Sequence, residues 1–122
     1  MMNTAIPCCL SFDDYLECAL WSSSCDDDTP FDQVDAHLAP ETVTKMRLEL
    51  ADFADLLEKD GITEIPLSEQ QISHDFWLTR NEHGAGFWDR GIGKLGDKLS
   101  DIATSTGPAN LYLGDDGLIY QD

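Results

Sequence analysis

HDFWLTRNEHGAGFWDR, residues 74–90, is the segment on which our fold prediction for this chain depends most; we call it the hairpin block. From Ile72 onward, Phe76 and Leu78 fall on one side of an extended strand and alternate with residues that are mostly polar. Residues 81–84 are turn formers, and residues 86–89 carry two aromatic side chains that can return as a second strand. We therefore predict a β-hairpin over residues 72–89.

Helices are predicted on the N-terminal side of this hairpin. Ser11 precedes two acidic residues and is a typical helix cap, and Thr29 followed by Pro30 indicates a second helix start. A third helix over residues 41–58 is the clearest element, because its apolar residues step by three and four. These residues are Val43, Met46, Leu50, Phe53 and Leu57. The opposite side of that helix is rich in carboxylates.

A helix and a closing hairpin are predicted after residue 90. The inner stripe of the helix is Ile92, Leu95, Leu99, Ile102 and Ala103. The closing hairpin covers residues 110–121 and turns at Gly-Asp-Asp-Gly, residues 114–117. The fold class is therefore α+β: about three acidic N-terminal helices, then β-β-α-β-β, with a four-stranded, mainly antiparallel sheet covered by helices on one face. We predict one domain over residues 1–122, with an acidic helical part (1–61) and a second part (72–121).

The charge of the chain is its most unusual property. Residues 1–70 hold 16 acidic and 3 basic residues (−13), and residues 71–122 hold 8 and 4 (−4), which sum to −17. Such a surface repels nucleic acid and anionic membranes and attracts basic protein surfaces. Solubility alone is the alternative explanation. With no long apolar run and no signal peptide, we expect a cytoplasmic protein, in the host cell if a phage encodes it.

The hairpin block also contains a candidate polar site. Its members could perform acid–base chemistry or hold a metal: His74, Asp75, Arg80, His83 and Asp89. Neither the two His nor their carboxylate neighbours have the spacing of a zinc site or a catalytic triad. In the alternative interpretation, the aromatic residues of the block form the core and its charged residues form ordinary ion pairs. We predict no metal and no cofactor.

Three further motifs have structural explanations. Residues 91–96, GIGKLG, match the dinucleotide-binding pattern, and Asp115 lies at a suitable distance, but no buried Val/Ile strand precedes them. We expect these glycines to allow a tight entry into the helix and its close packing on the sheet. The Gly-Asp-Asp-Gly turn has too few oxygen ligands for a strong cation site. The thiols of Cys8, Cys9, Cys18 and Cys25 lack zinc-finger spacing and are expected to be reduced.

The C-terminal part of the chain resembles a family pattern. HDFWLTRN-x-HGAGFWDR followed by Y-x-GDDG-x-IY is similar to small acidic proteins of bacteriophages and mobile elements, a family without a settled activity. The resemblance does not extend to the N-terminal half and carries over no catalytic residue. It implies an accessory protein, and such proteins often inhibit host defence as anti-restriction or anti-CRISPR proteins.

These observations together predict an acidic inhibitor that is not an enzyme. It would mimic nucleic acid and block a basic, nucleic-acid-binding complex of the Cas or restriction type, without binding nucleic acid or membranes itself. The predicted partner-binding residues are Asp26, Asp27, Asp28, Asp32, Asp35, Glu49, Asp52, Asp55 and Glu58. The alternatives are a small enzyme or a metal- or ligand-binding module centred on residues 74–90, and a phage structural or regulatory component. The sequence indicates no oligomeric state.

Overall fold

The computed structural model describes residues 4–5, 11–23, 31, 37–81 and 86–121. Within them, four α-helices and five short strands form an α+β structure, so the predicted class is confirmed. The helices are α1 (Phe12–Ser22), α2 (Pro40–Lys59), α3 (Glu69–Arg80) and α4 (Lys94–Ser105). The strands are β1 (Thr4–Ala5), β2 (His37–Leu38), β3 (Glu64–Ile65), β4 (Leu111–Leu113) and β5 (Leu118–Gln121). No helix in these ranges is both long and apolar enough to cross a membrane.

The sheet differs from the predicted one. The closing hairpin is present as β4 and β5, which pair antiparallel with Tyr112 opposite Tyr120. The third strand is β2, which lies parallel to β5 and gives the order β2-β5-β4. β1 and β3 form a separate two-stranded pair. The predicted four-stranded, mainly antiparallel sheet is therefore wrong for the described residues, because two of its strands were assigned to residues 72–89.

Where a hairpin was predicted over residues 72–89, the described residues 72–80 belong to helix α3 and Phe87–Asp89 form a short 3₁₀ helix. Ser68 caps α3, and its hydroxyl oxygen accepts a hydrogen bond from the backbone N–H of Gln71 at 3.1 Å. The pattern Ser-x-x-Gln is a capping box, a helix-start signal that the strand prediction overlooked. Most of α3 is buried on nearly all sides, so its polar and apolar residues show no clear helical period. The observed order of elements in this part of the chain is α3, 3₁₀ helix, α4, β4 and β5, where β-β-α-β-β was predicted.

The other predicted helices agree better with the structure. α2 matches the predicted third helix, with Pro40 in its first turn and Met46, Leu50, Phe53 and Leu57 buried. α1 begins after Ser11, whose hydroxyl accepts from the N–H of Asp14 at 3.2 Å. The start of the helix predicted at Thr29 lies outside the described residues, but His37–Leu38, just before the Pro40 that was expected to interrupt that helix, form strand β2 instead. α4 buries Leu99 and Ala103, while Ile92, Leu95 and Ile102 are partly buried against the core.

Aromatic rings from three helices and the 3₁₀ segment form the centre of the core. Phe76 of α3 stacks on Phe53 of α2 with a centroid distance of 4.2 Å and on Tyr15 of α1 at 5.4 Å. Phe87 lies 6.0 Å from Phe53. Such pairs each contribute about 1 kcal/mol beyond the area that they bury. The core thus places α3 between the other elements, and this position sets the surroundings of the candidate polar site.

Candidate functional site: a buried polar network and an acidic groove

Arg80, at the C-terminal end of α3, is the centre of a buried polar network. It is 3% exposed, and its guanidinium donates to three different parts of the chain. Nε donates to the Gly107 carbonyl oxygen at 2.9 Å, one terminal nitrogen to the Tyr15 hydroxyl at 2.9 Å, and the other to Glu49 Oε2 at 2.5 Å. The side-chain amide of Gln121 donates to the second oxygen of Glu49. Arg80 therefore joins α1, α2, β5 and the loop after α4.

The electrostatics of this network favour the charged form of Arg80. Burial by itself lowers the pKa of Arg80, but Tyr15 and Glu49 outweigh it, so that the pKa stands above its ordinary value. Burial raises the pKa of Tyr15 far above its ordinary value, with Arg80 opposing the shift. A planar guanidinium that satisfies three acceptors in a rigid fork positions structural elements. We interpret Arg80 as a structural residue.

Asp75 forms a second internal ion pair. Its carboxylate is fully buried and accepts two hydrogen bonds from Arg90, from Nε at 2.8 Å and from a terminal nitrogen at 2.6 Å. Gln71 donates a third at 2.9 Å. The hydrogen bond with Asp75 is the largest cause of a raised pKa at Arg90. This bidentate pair fastens the residue after the 3₁₀ helix to the middle of α3.

The remaining members of the predicted polar site do not gather around this pair. Nε2 of His74 lies 3.8 Å from a carboxylate oxygen of Glu17 on α1, while Asp89 is exposed. His83 lies outside the described residues. In the part of the chain that the structure describes, no group of three His, Cys, Asp or Glu side chains is placed to hold a metal ion. The structure thus brings Asp75 and Arg80 into two separate networks, and the predicted cluster does not form there.

The neighbouring thiol belongs to the core. Cys18 is buried on α1, and its sulfur donates a weak hydrogen bond to the carbonyl oxygen of His74 at 3.7 Å. Burial, with a smaller contribution from Asp75, raises the pKa of the Cys18 thiol to about 12. Cys18 is accordingly an inert, protonated thiol at neutral pH. Cys8, Cys9 and Cys25 lie outside the described residues.

Glycines of both motifs allow close backbone packing. A Cβ built on Gly86 would collide with the Thr79 hydroxyl on α3 and would lie 2.7 Å from the Trp88 ring. A Cβ on Gly96 would lie 2.8 Å from the Phe87 carbonyl oxygen, so α4 approaches the 3₁₀ helix as closely as its backbone allows. The close packing predicted for the glycine-rich motif is present at Gly96, but the helix packs on the 3₁₀ helix there and not on the sheet, as had been predicted.

The second candidate site is an acidic groove of about 370 Å³ on the surface of α2. Its lining residues are Glu49, Asp52, Asp55, Leu56, Lys59 and Thr106. Glu49 is held by Arg80 and Gln121, whereas Asp52 and Asp55 are exposed. Within the described ranges, neither of these two carboxylates forms an ion pair, in contrast to Asp60, which lies 3.1 Å from Lys98.

The other predicted partner-binding residues are distributed less favourably. Glu58 is exposed but lies about a sixth of a turn away from Asp55 around the helix axis, outside the groove. Lys45 and Lys59 share the outer face of α2 with Asp52, so the row of carboxylates is interrupted. The remaining predicted acidic residues, Asp26, Asp27, Asp28, Asp32 and Asp35, lie outside the described residues.

The sequence interpretation missed several residues of these sites. Tyr15 was assigned only to an apolar helix face, and Gln121 and Gly107 were assigned to no site. No local pattern could have found them, because their partners are distant along the chain. Tyr15 lies 65 residues and Gly107 lies 27 residues from Arg80, and Gln121 lies 72 residues from Glu49. Gln71 could have been found from the capping box.

No family model matches the chain, and no curated protein or solved structure matches it either.

Proposed function

We propose that this protein is an inhibitor that acts through protein–protein interaction and binds a basic surface of a nucleic-acid-binding complex with its acidic groove. One observation supports the proposal most directly: Asp52 and Asp55 are exposed at a groove and, among the described residues, have no ion-pair partner. The net charge of −17 adds long-range attraction toward Lys- and Arg-rich proteins. The resemblance to phage and mobile-element proteins suggests a Cas or restriction complex.

The contacts of the candidate polar site at residues 74–90 favour a structural role over catalysis. Asp75 and Arg80 are both buried and bonded to several protein groups, so neither is presented to a substrate. The alternative, a small enzyme or a metal- or ligand-binding module at residues 74–90, draws on these two residues together with His74, Asp89 and His83, the last of which lies outside the described residues. We therefore favour the interaction function.

Mimicry of nucleic acid is the more specific form of the proposal. DNA carries one phosphate charge per roughly 1.7 Å of duplex axis, which requires a continuous row of carboxylates. The outer face of α2 carries Lys45 and Lys59 among its acids. A continuous row would therefore need the acidic residues between positions 26 and 35, which lie outside the described residues. The groove proposal does not depend on them.

The test is inhibition of DNA binding by purified restriction and Cas complexes at several salt concentrations. The pair Asp52→Asn/Asp55→Asn should weaken binding to the inhibited complex about tenfold at low salt, because two charge pairs of roughly 0.7 kcal/mol each are lost. The control is Asp97→Asn/Asp101→Asn, which removes two exposed carboxylates from α4 instead. Equal affinities for the two variants, or an affinity that does not change with salt, would contradict the proposal.

A further inference from the structure

The outer face of the three-stranded sheet carries a pair of stacked tyrosines. Ile119 and Gln121 of β5 point into the core, so the alternate residues of β5 point away from it. Tyr112 stands opposite Tyr120, and their rings stack with a centroid distance of 5.7 Å. His37 stands opposite Leu118 on the same side. We call this surface, formed by His37, Tyr112, Leu118 and Tyr120, the tyrosine face.

Carboxylates border the tyrosine face. The Tyr120 hydroxyl donates to Asp116 Oδ2 at 2.5 Å, and Asp116 Oδ1 accepts from the N–H of Leu118 at 3.0 Å. The hydrogen bond to Asp116 raises the pKa of Tyr120 to about 12, and the charge of Glu41 on α2 adds to the shift. Asp116 therefore contacts the ring pair directly, and the charge of Glu41 acts on Tyr120 in the same direction.

The hairpin holds this arrangement rigidly. A Cβ on Gly114 would lie 2.5 Å from the Tyr120 ring, so the ring rests directly on the backbone of the turn. Gly117, with φ of +80°, closes the turn by donating to the Gly114 carbonyl oxygen at 3.0 Å. The Gly-Asp-Asp-Gly turn thus serves to place a carboxylate and a tyrosine ring side by side. Tyr112 nevertheless remains 43% exposed.

We infer that the tyrosine face is a second docking surface and that it binds an arginine-bearing segment of a basic partner protein. A guanidinium stacks on tyrosine rings and pairs with a neighbouring carboxylate, and Tyr112 and Asp116 offer both groups. A second copy of this chain is a poor occupant, since two chains of −17 each repel one another. The carboxylates likewise oppose the phosphates of a nucleic acid, although its bases could stack on the rings.

The test is a nuclear magnetic resonance titration of the ¹⁵N-labelled full-length chain with a hexa-arginine peptide at low salt. We expect the largest amide shifts in β2, β4 and β5, and weaker binding of a hexa-lysine peptide, whose ammonium groups lack the planar stacking surface. Tyr112→Ala should weaken hexa-arginine binding roughly threefold. Trp21→Ala, which removes an equally exposed aromatic side chain from α1, should leave the affinity unchanged.

Three outcomes would overturn the inference: shifts confined to α2, equal affinities for Tyr112→Ala and Trp21→Ala, or the same shifts produced by a single-stranded oligonucleotide. Tyr112→Leu retains apolar packing in the hairpin and separates loss of the π face from loss of the fold. The inference depends on the proposed function only in its choice of a basic partner. Because the α2 amides report on the acidic groove separately, either proposal can fail without the other.

Discussion

The interior around α3 and the surface of α2 use the same kinds of charged side chain in opposite ways. Asp75 and Arg80 are almost completely buried, and their hydrogen-bonding groups are occupied by other parts of the chain. Asp52 and Asp55 are exposed beside a groove and, in the described ranges, pair with no basic side chain. A charged motif therefore indicates a binding surface only where its side chains are exposed and are not already paired within the chain.

Glu49 connects the two regions. One of its oxygens accepts from Arg80 and the other from Gln121, yet its side chain also lines the groove. The buried network thereby fixes the part of α2 from which Asp52 and Asp55 project. Substitutions in the interior should therefore reduce stability, whereas substitutions at the surface should change binding with little effect on stability.

Arg80→Ala should have the largest effect on stability. It leaves Glu49, Tyr15 and the Gly107 carbonyl without their common donor, and breaking such a buried pair costs about 4 kcal/mol of unfolding free energy. Urea denaturation measures the loss. The control is Arg47→Ala, which removes an exposed guanidinium 4.3 Å from the Phe12 ring and should cost less than about 1 kcal/mol. Similar losses for the two variants would contradict the structural role of Arg80.

Asp75→Asn should have the second largest effect. The amide cannot accept both hydrogen bonds of Arg90 as a carboxylate does, and we expect a loss of about 2 kcal/mol, reduced by the partial exposure of Arg90. Chemical denaturation of the exposed control Asp89→Asn should show a change within about 0.5 kcal/mol. If both variants were equally stable, Asp75 would not be a structural anchor.

Gly86→Ala should destabilise the fold by about 1–3 kcal/mol, because the added methyl group collides with Thr79 and Trp88. The measurement is the midpoint of thermal unfolding. In a Thr79→Ala background the same change should cost less, since one of the two collisions is removed. If the stability losses of Gly86→Ala and Thr79→Ala simply added in the double variant, the contact with α3 would not be the reason for glycine at this position.

Asp116→Asn should have the smallest effect on stability but a clear effect on titration. The hydrogen bond to Asp116 raises the pKa of Tyr120 from 10.0 to about 12. The stability that the protonated Tyr120 hydroxyl contributes is therefore fully present below pH 10.0 and is lost as the pH rises through about 12. Hydrogen bonding, chiefly from Tyr120, lowers the pKa of Asp116 below its ordinary value of 3.8. The stability that the ionised Asp116 carboxylate contributes is therefore fully present above pH 3.8 and is lost as the pH falls through the lowered pKa. Ring-carbon resonances of Tyr120 should titrate nearer 10 in Asp116→Asn. Asp115→Asn should leave them unchanged.

Local signals in the sequence were sufficient for several elements. The three- and four-residue spacing of Met46, Leu50, Phe53 and Leu57 predicted α2, because only one of its faces is buried. Turn chemistry predicted the closing hairpin. The strand β2 was missed because two residues are too few to show a period. The prediction of a hairpin at residues 72–89 failed because α3 is enclosed on most sides.

Residue types and their spacing were enough to predict the α+β class, the N-cap of α1, the course of α2 and the excess of negative charge. These properties depend on neighbours within a few residues or on composition. Contacts between distant segments brought Arg80 to Tyr15 and Glu49, which are 65 and 31 residues away, and enclosed Asp75 in the core. Burial accounts for the difference, because a carboxylate is a structural anchor where the chain excludes water and is available to a partner where water reaches it.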